Sequence, residues 1–216
     1  MTVLPEGQPH PKLDELIAVL EYLRAPGGCA WDGEQTHESL VQYLVEETYE
    51  LVDAIENGSR ADLIEELGDV LYQVIFHSDI AAHTPGEKFT LEDVAANMTA
   101  KMVGRHPHVF GSATAATAGE VVDLWEVQKT IEKPHRTSVL DGIPQGMPSL
   151  SLADKLLGRA EKVGIAQTES VSTSSEEELG ALLLSIVTGA RAGGLDAERA
   201  LRTTLRTLQQ QIRDLE

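Results

Sequence analysis

Apolar positions along this chain recur mainly at helical spacing. Leu13, Leu16, Ile17, Leu20 and Leu23 predict a first amphipathic helix, which Pro26-Gly27-Gly28 ends. Residues 1–11 carry three prolines and no period, and read as a loose leader. Leu40, Leu44, Leu51 and Ile55 predict a second helix that begins near His37, with Thr36 as its cap, and stops at Gly58-Ser59. From Leu67 through Val70, Leu71, Val74, Ile75, Phe76 and Ile80 a third helix is apolar almost all round, so it is expected at the buried centre of the fold or of an oligomer. After the break at Thr84-Pro85-Gly86, further helices are expected over 91–104 and 119–133. Pro134 ends the last of these, and Pro144, Gly146 and Pro148 mark the stretch up to 148 as a linker.

Beyond that linker, Glu177-Glu178-Leu179-Gly180-Ala181-Leu182-Leu183 echoes Glu65-Glu66-Leu67-Gly68-Asp69-Val70-Leu71. Residues 200–211 likewise follow 95–106 in helical register, a faint internal repeat. The second copy has Ala181 where the first has Asp69, and no Glu-Glu-x-x-Glu helix precedes it. Between Gly164 and Glu176 stands a Ser/Thr-rich stretch with the composition of a flexible loop. The expected organisation is a catalytic helical domain over 1–140, followed by an abbreviated, catalytically silent helical segment over 150–216 that covers or dimerises the first.

Composition agrees with an all-α class. Of the 216 residues only 4% are aromatic, and Ala, Leu, Val and Ile dominate the apolar set. Lys and Arg number 17 against 35 Asp and Glu, a formal charge of −18, which argues against a nucleic-acid-binding surface. Acidity does not exclude a phosphorylated substrate, because a divalent ion and a few placed cations reverse the local potential. Cys29 is the only cysteine, so no intramolecular disulfide forms. The N-terminus has no apolar signal region and no run reaches about 18 apolar residues, so a soluble cytoplasmic protein with no membrane partner is expected.

The acids bring chemistry into this frame. Glu47 falls inside the apolar stripe of the second helix, where a charge needs a partner or a cation. Glu47 and Glu50 share one helical face, and Glu66 and Asp69 share one on the third helix. Antiparallel packing of the two helices gathers four carboxylates, an arrangement that calls for a metal ion. Oxygen-only ligands favour Mg²⁺ or Mn²⁺. A zinc site at His106-Pro107-His108 fails for want of a third and fourth ligand, and a di-iron bundle fails because neither acid pair continues as Glu-x-x-His.

Three further groups admit two readings each. Lys101 and Arg105, one turn apart, either meet the oxygens of a polyphosphate or form a solvated basic patch. Trp125 and Lys129, again one turn apart, either hold a base or ribose beside a phosphate, or pack and solvate separately. Trp31, in the loop 28–36, either plugs the core or walls a ligand pocket.

Taken together, Cys29-Ala30-Trp31-Asp32 with Gln35-Thr36, Glu46-Glu47-Thr48-Tyr49-Glu50, Glu66-Leu67-Gly68-Asp69, Arg105-His106-Pro107-His108-Val109-Phe110, and Trp125-Glu126 with Lys129 make most of residues 10–140 resemble the MazG family of nucleoside triphosphate pyrophosphohydrolases. The resemblance implies an all-α, oligomeric fold that binds Mg²⁺ and converts a nucleoside triphosphate and water to the monophosphate and pyrophosphate, removing aberrant or excess nucleotides. It implies that Glu47, Glu50, Glu66 and Asp69 hold the metal, with Glu46 as a further ligand or an orienter of the attacking water. It places Lys101, Arg105 and Lys129 on the phosphates and Trp125 on the nucleoside. The competing expectation is a non-enzymatic helical module whose acidic cluster binds a basic partner.

Overall fold

The computed structural model describes residues 7, 9–165 and 171–216. Most of the expected leader (1–6 and 8) and part of the Ser/Thr-rich stretch (166–170) lie outside the described residues. Ten α-helices and no strands occur among the described residues, so the fold is all-α. The chain divides into two compact units, Met1–Gln128 and Lys129–Glu216.

In the first unit, α1 (Pro11–Arg24) starts within the expected leader, because Pro11 at the first helical position loses no hydrogen bond there. Gly27, at φ 89°, and Gly28 turn the chain sharply; a Cβ on Gly28 would lie 2.4 Å from the Leu23 carbonyl oxygen. The stretch expected as a loop contains a short helix, α2 (Ala30–Glu34). Thr36 caps α3 (His37–Asn57) as expected: its hydroxyl accepts from the Ser39 amide and the Ser39 hydroxyl accepts from the Thr36 amide. Ser59 and Asp62 form the same reciprocal cap on α4 (Arg60–His83). Thr90 and Asp93 do so on α5 (Leu91–Arg105). A one-turn helix, α6 (Pro107–Phe110), then leads to α7 (Ala118–Glu132), which runs across the boundary between the units.

Leu20, Leu40, Ile75, Phe76 and Ile80 form the core of this unit, where α1 and α3 close on α4. α4 was expected at the buried centre of the fold or of an oligomer, and within this single chain its burial is partial. Its C-terminal half is covered, but Leu67 is 51% exposed, and Leu71 and Val74 are exposed with it. Leu44 and Ile55 of the predicted inward stripe of α3 are exposed too. The cause is coverage: the core cluster that packs on α4 lies along its C-terminal half, at Ile75, Phe76 and Ile80.

In the second unit, α8 (Ser149–Lys162) and α10 (Ala197–Arg213) pack through Leu152, Leu156, Ala160, Leu205 and Ile212. Glu198 of α10 accepts from both the amide and the hydroxyl of Ser149, tying down the start of α8. The linker reading of residues 134–148 is also corrected. Leu140 and Ile143 are buried in this core, and the Thr137 and Ser138 amides donate to Asp141. The helix α9 (Glu176–Ala192) buries none of its residues. Among the described residues, no single helix is long and apolar enough to cross a membrane.

Candidate active site

The pairing of α3 with α4 is antiparallel, fixed at one end by the Nδ1 atoms of His37 and His77 at 2.7 Å. Ten residues further along α3, Glu47 meets Glu66 and Asp69 of α4, and one ligand oxygen from each lies within 4.8 Å of the others. This is the one such group of potential metal ligands among the described residues. Glu47 is half-buried. Burial raises its pKa above the ordinary carboxylate range, and the charges of Asp69, Glu50 and Glu66 add to the effect. The Glu66 carboxyl is raised by the same causes, burial first and then Glu50 and Asp69. Its Oε2 is buried and has no hydrogen-bond partner.

A carboxylate oxygen withheld from water and from every donor, facing two more carboxylates, fits a hard divalent cation. The donors are all oxygen, which suits Mg²⁺ or Mn²⁺ better than zinc. Glu50 is exposed at the edge of the group and presses electrostatically on both Glu47 and Glu66. With Asp53, Asp62 and Glu66 it lines an open hollow of about 350 Å³. Glu46 is exposed and stands outside the three-residue group.

A second cluster gathers where α5 meets α6 and α7. The Arg105 guanidinium is buried and lies 5.1 Å from the Trp125 ring centroid. His106 packs edge-on against the same ring at 5.1 Å, while its Nδ1–H donates to the Met102 carbonyl. Arg105 is therefore no part of a solvated basic patch. Lys101, one turn earlier, is half-buried at the rim of an open hollow of about 530 Å³ that Phe89, Val94 and Met98 also line. The His106 and His108 rings lie 5.5 Å apart and tilted by 47°; His106 has aromatic and backbone partners, whereas His108 Nδ1 is buried without a hydrogen-bond partner. Trp125 and Lys129 share α7, with Lys129 assigned to the second unit.

Trp31 does not plug the core. It is 50% exposed and rests edge-to-face on Tyr43, one turn of α3 before Glu47. Gln73 and His77, absent from the expected site, continue the Glu66–Asp69 face of α4 toward its C-terminus; Gln73 is buried, and Gln73 Oε1 and His77 Nε2 have no hydrogen-bond partner. The available signal was that Gln73 and His77 interrupt the apolar pattern of Leu71, Val74, Ile75, Phe76 and Ile80.

Residues 35–110 match the family model of the MazG nucleotide pyrophosphohydrolase domain. The chain is 46% identical to an uncharacterized 26.1 kDa protein of Streptomyces cacaoi, over 96% of this chain and 84% of that one. It is 37% identical to the nucleoside triphosphate pyrophosphohydrolase/pyrophosphatase MazG of Thermotoga maritima, over 94% and 85%. With the nucleoside triphosphate pyrophosphohydrolase of Escherichia coli K12 the identity is 35%, over 95% and 87%. The matched residues contain the whole Glu47–Glu66–Asp69 group, and similarity at this level over nearly the full length of both chains places the protein in the MazG family of nucleotide pyrophosphohydrolases, hydrolases of acid anhydrides.

Proposed function

We propose that this chain hydrolyses ribo- or deoxyribonucleoside triphosphates to the monophosphate and pyrophosphate in a Mg²⁺-dependent reaction, with Mn²⁺ as a substitute. Its setting is the cytoplasm and its role the removal of aberrant or excess nucleotides. The observation that carries the reading is the group of Glu47, Glu66 and Asp69 with the unpartnered Glu66 Oε2, on a chain similar to proteins named for this activity.

Glu47, Glu50, Glu66 and Asp69 would hold the ion, which supplies charge neutralisation for the phosphate chain and a more acidic attacking water. Glu46, exposed beside this group, is suited to orient that water and take its proton. The water oxygen bonds to the α-phosphorus, the bond from that phosphorus to the bridging oxygen breaks, and pyrophosphate leaves. Lys101 and Arg105 meet the phosphates, and Trp125 and Trp31 the nucleoside.

The unit that holds this site leaves Val41, Val45 and Val52 of α3 and Ile64, Leu67, Leu71 and Val74 of α4 exposed, an apolar surface that supports a homodimer or a larger homo-oligomer. The segment 150–216 lacks an acid group like that of the first unit among its described residues, which supports a catalytically silent role. The test is incubation with each triphosphate and Mg²⁺, with separate detection of pyrophosphate and orthophosphate. Pyrophosphate with the monophosphate is expected; orthophosphate with the diphosphate overturns the reading.

A further inference from the structure

Gln73 sits one turn beyond Asp69 and two turns beyond Glu66 on the same face of α4. It is 6% exposed, and its carbonyl oxygen has no hydrogen-bond donor. The register of the helix pair, His37 against His77 and Glu47 against Glu66 and Asp69, sets Gln73 between the histidines and the carboxylates. It is therefore level with the turn of α3 that carries Leu40 and Tyr43. Tyr43 supports the half-exposed Trp31, and it lies one turn from Glu47 in the same direction as Gln73 lies from Asp69.

A buried amide oxygen without a donor is costly, and one that lies beside a ligand site is suited to accept from a donor on the ligand. One turn of helix is about 5.4 Å, roughly the span from a phosphate to the far side of the sugar it esterifies. We propose that Gln73 determines nucleoside specificity: its Oε1 accepts a hydrogen bond from a neutral O–H or N–H donor on the nucleoside half of a substrate whose phosphates lie at Glu47, Glu66 and Asp69. A sugar hydroxyl and a base N–H share this chemistry. The inference rests on the pyrophosphohydrolase reading and adds to it the residue that reads the nucleoside. A site built to receive a donor rejects the analogue that lacks it, because the buried acceptor is then left unpaired.

The experiment measures kcat/KM for the four common ribonucleoside triphosphates and their 2′-deoxy and 3′-deoxy counterparts. It compares wild type with Gln73→Met, which fills the space without an acceptor, and Gln73→Glu, which keeps one. Gln73→Met is expected to lower kcat/KM for the preferred substrates by about 10-fold to 100-fold, and to collapse the preference for one member of the panel over its nearest analogue. Gln73→Glu keeps that preference. Loss of the ratio between ribo and deoxy forms identifies a sugar hydroxyl as the donor, and loss of the ratio between bases identifies a base N–H. The Mg²⁺-induced rise in melting temperature stays as in wild type. A common factor of loss across all substrates, or no change, overturns the proposal. If Gln73→Met does not melt cooperatively, Gln73→Asn, which withdraws the same amide by one methylene, becomes the readout, and an unchanged preference there also overturns it. Wild type that releases no pyrophosphate from any triphosphate sinks the hydrolase reading itself; wild type that turns over while the variants keep its preferences sinks only the role of Gln73.

Discussion

Arg24, at the end of α1, and Asp79, in α4, form a buried ion pair at 2.5 Å between residues 55 positions apart in sequence. The same guanidinium donates to the Asp32 carbonyl of α2 and lies 5.0 Å from the Phe76 ring centroid. One side chain thus joins the first helix, the turn that carries Trp31, and the central helix. Removing one partner leaves the other charge buried and uncompensated. Arg24→Ala or Asp79→Ala is therefore expected to destabilise the fold by about 3–5 kcal/mol, measured by denaturant unfolding. A loss in the double variant that equals the sum of the two single losses would show that the two groups do not act as a pair.

His37 and His77 predict a pH dependence. Their rings are parallel within 1° and their Nδ1 atoms 2.7 Å apart, so a single proton lies between them; Glu87 accepts from His37 on its other side. His77 Nε2 is buried without a partner, and burial, with His37 adding to it, pushes the His77 pKa down. The unfolded chain then binds more protons than the folded one as pH falls below about 6.5. The stabilisation is fully present above that value and is lost as pH drops toward the depressed folded value. Melting temperature should fall between pH 7 and pH 5, and His77→Asn should flatten that slope. An unchanged slope in the variant removes His77 as its source.

Which parts of this organisation could be read from the residues follows from the range of each interaction. Thr36 with Ser39 is a contact within one turn, so the start of α3 was legible. Glu47 stood out because a periodic apolar stripe makes an inward carboxylate conspicuous. The same periodicity says which side of a helix is apolar and not what covers it, and so it left open that Leu67 and Ile55 are uncovered within this chain. Proline and glycine around Leu140 and Ile143 suggested a linker, although those two apolar side chains reach a core built from helices later in the chain. Arg24 with Asp79 depends on a contact far apart in sequence, which no local pattern encodes.

Lys101 and Arg105 should respond differently to removal although they lie one turn apart on α5. Lys101 is half-buried at the edge of an open hollow, whereas Arg105 is buried against Trp125. Lys101→Ala is expected to raise KM for the triphosphate about 10-fold with little change in melting temperature. Arg105→Ala should lower both activity and melting temperature, since it removes packing as well as charge. Steady-state kinetics and thermal melting on the two variants check this. Equal losses of stability would refute the distinction.

The carboxylate group makes the last prediction, one in which stability and activity move in opposite directions. Without a cation, Glu47, Glu66 and Asp69 repel one another at close range, which is why burial and like charge raise the first two above their ordinary range. Glu47→Gln relieves that repulsion while keeping the size of the side chain. In metal-free buffer at neutral pH the variant should melt at least about 2 °C above wild type. Mg²⁺ should raise the melting temperature of wild type by mass action on the folded state, and should raise that of the variant much less. Turnover in the variant should fall by about 100-fold or more. A variant that is less stable than wild type in the absence of metal would mean that the group is held by contacts other than a cation. Retained turnover would remove Glu47 from the set of ligands.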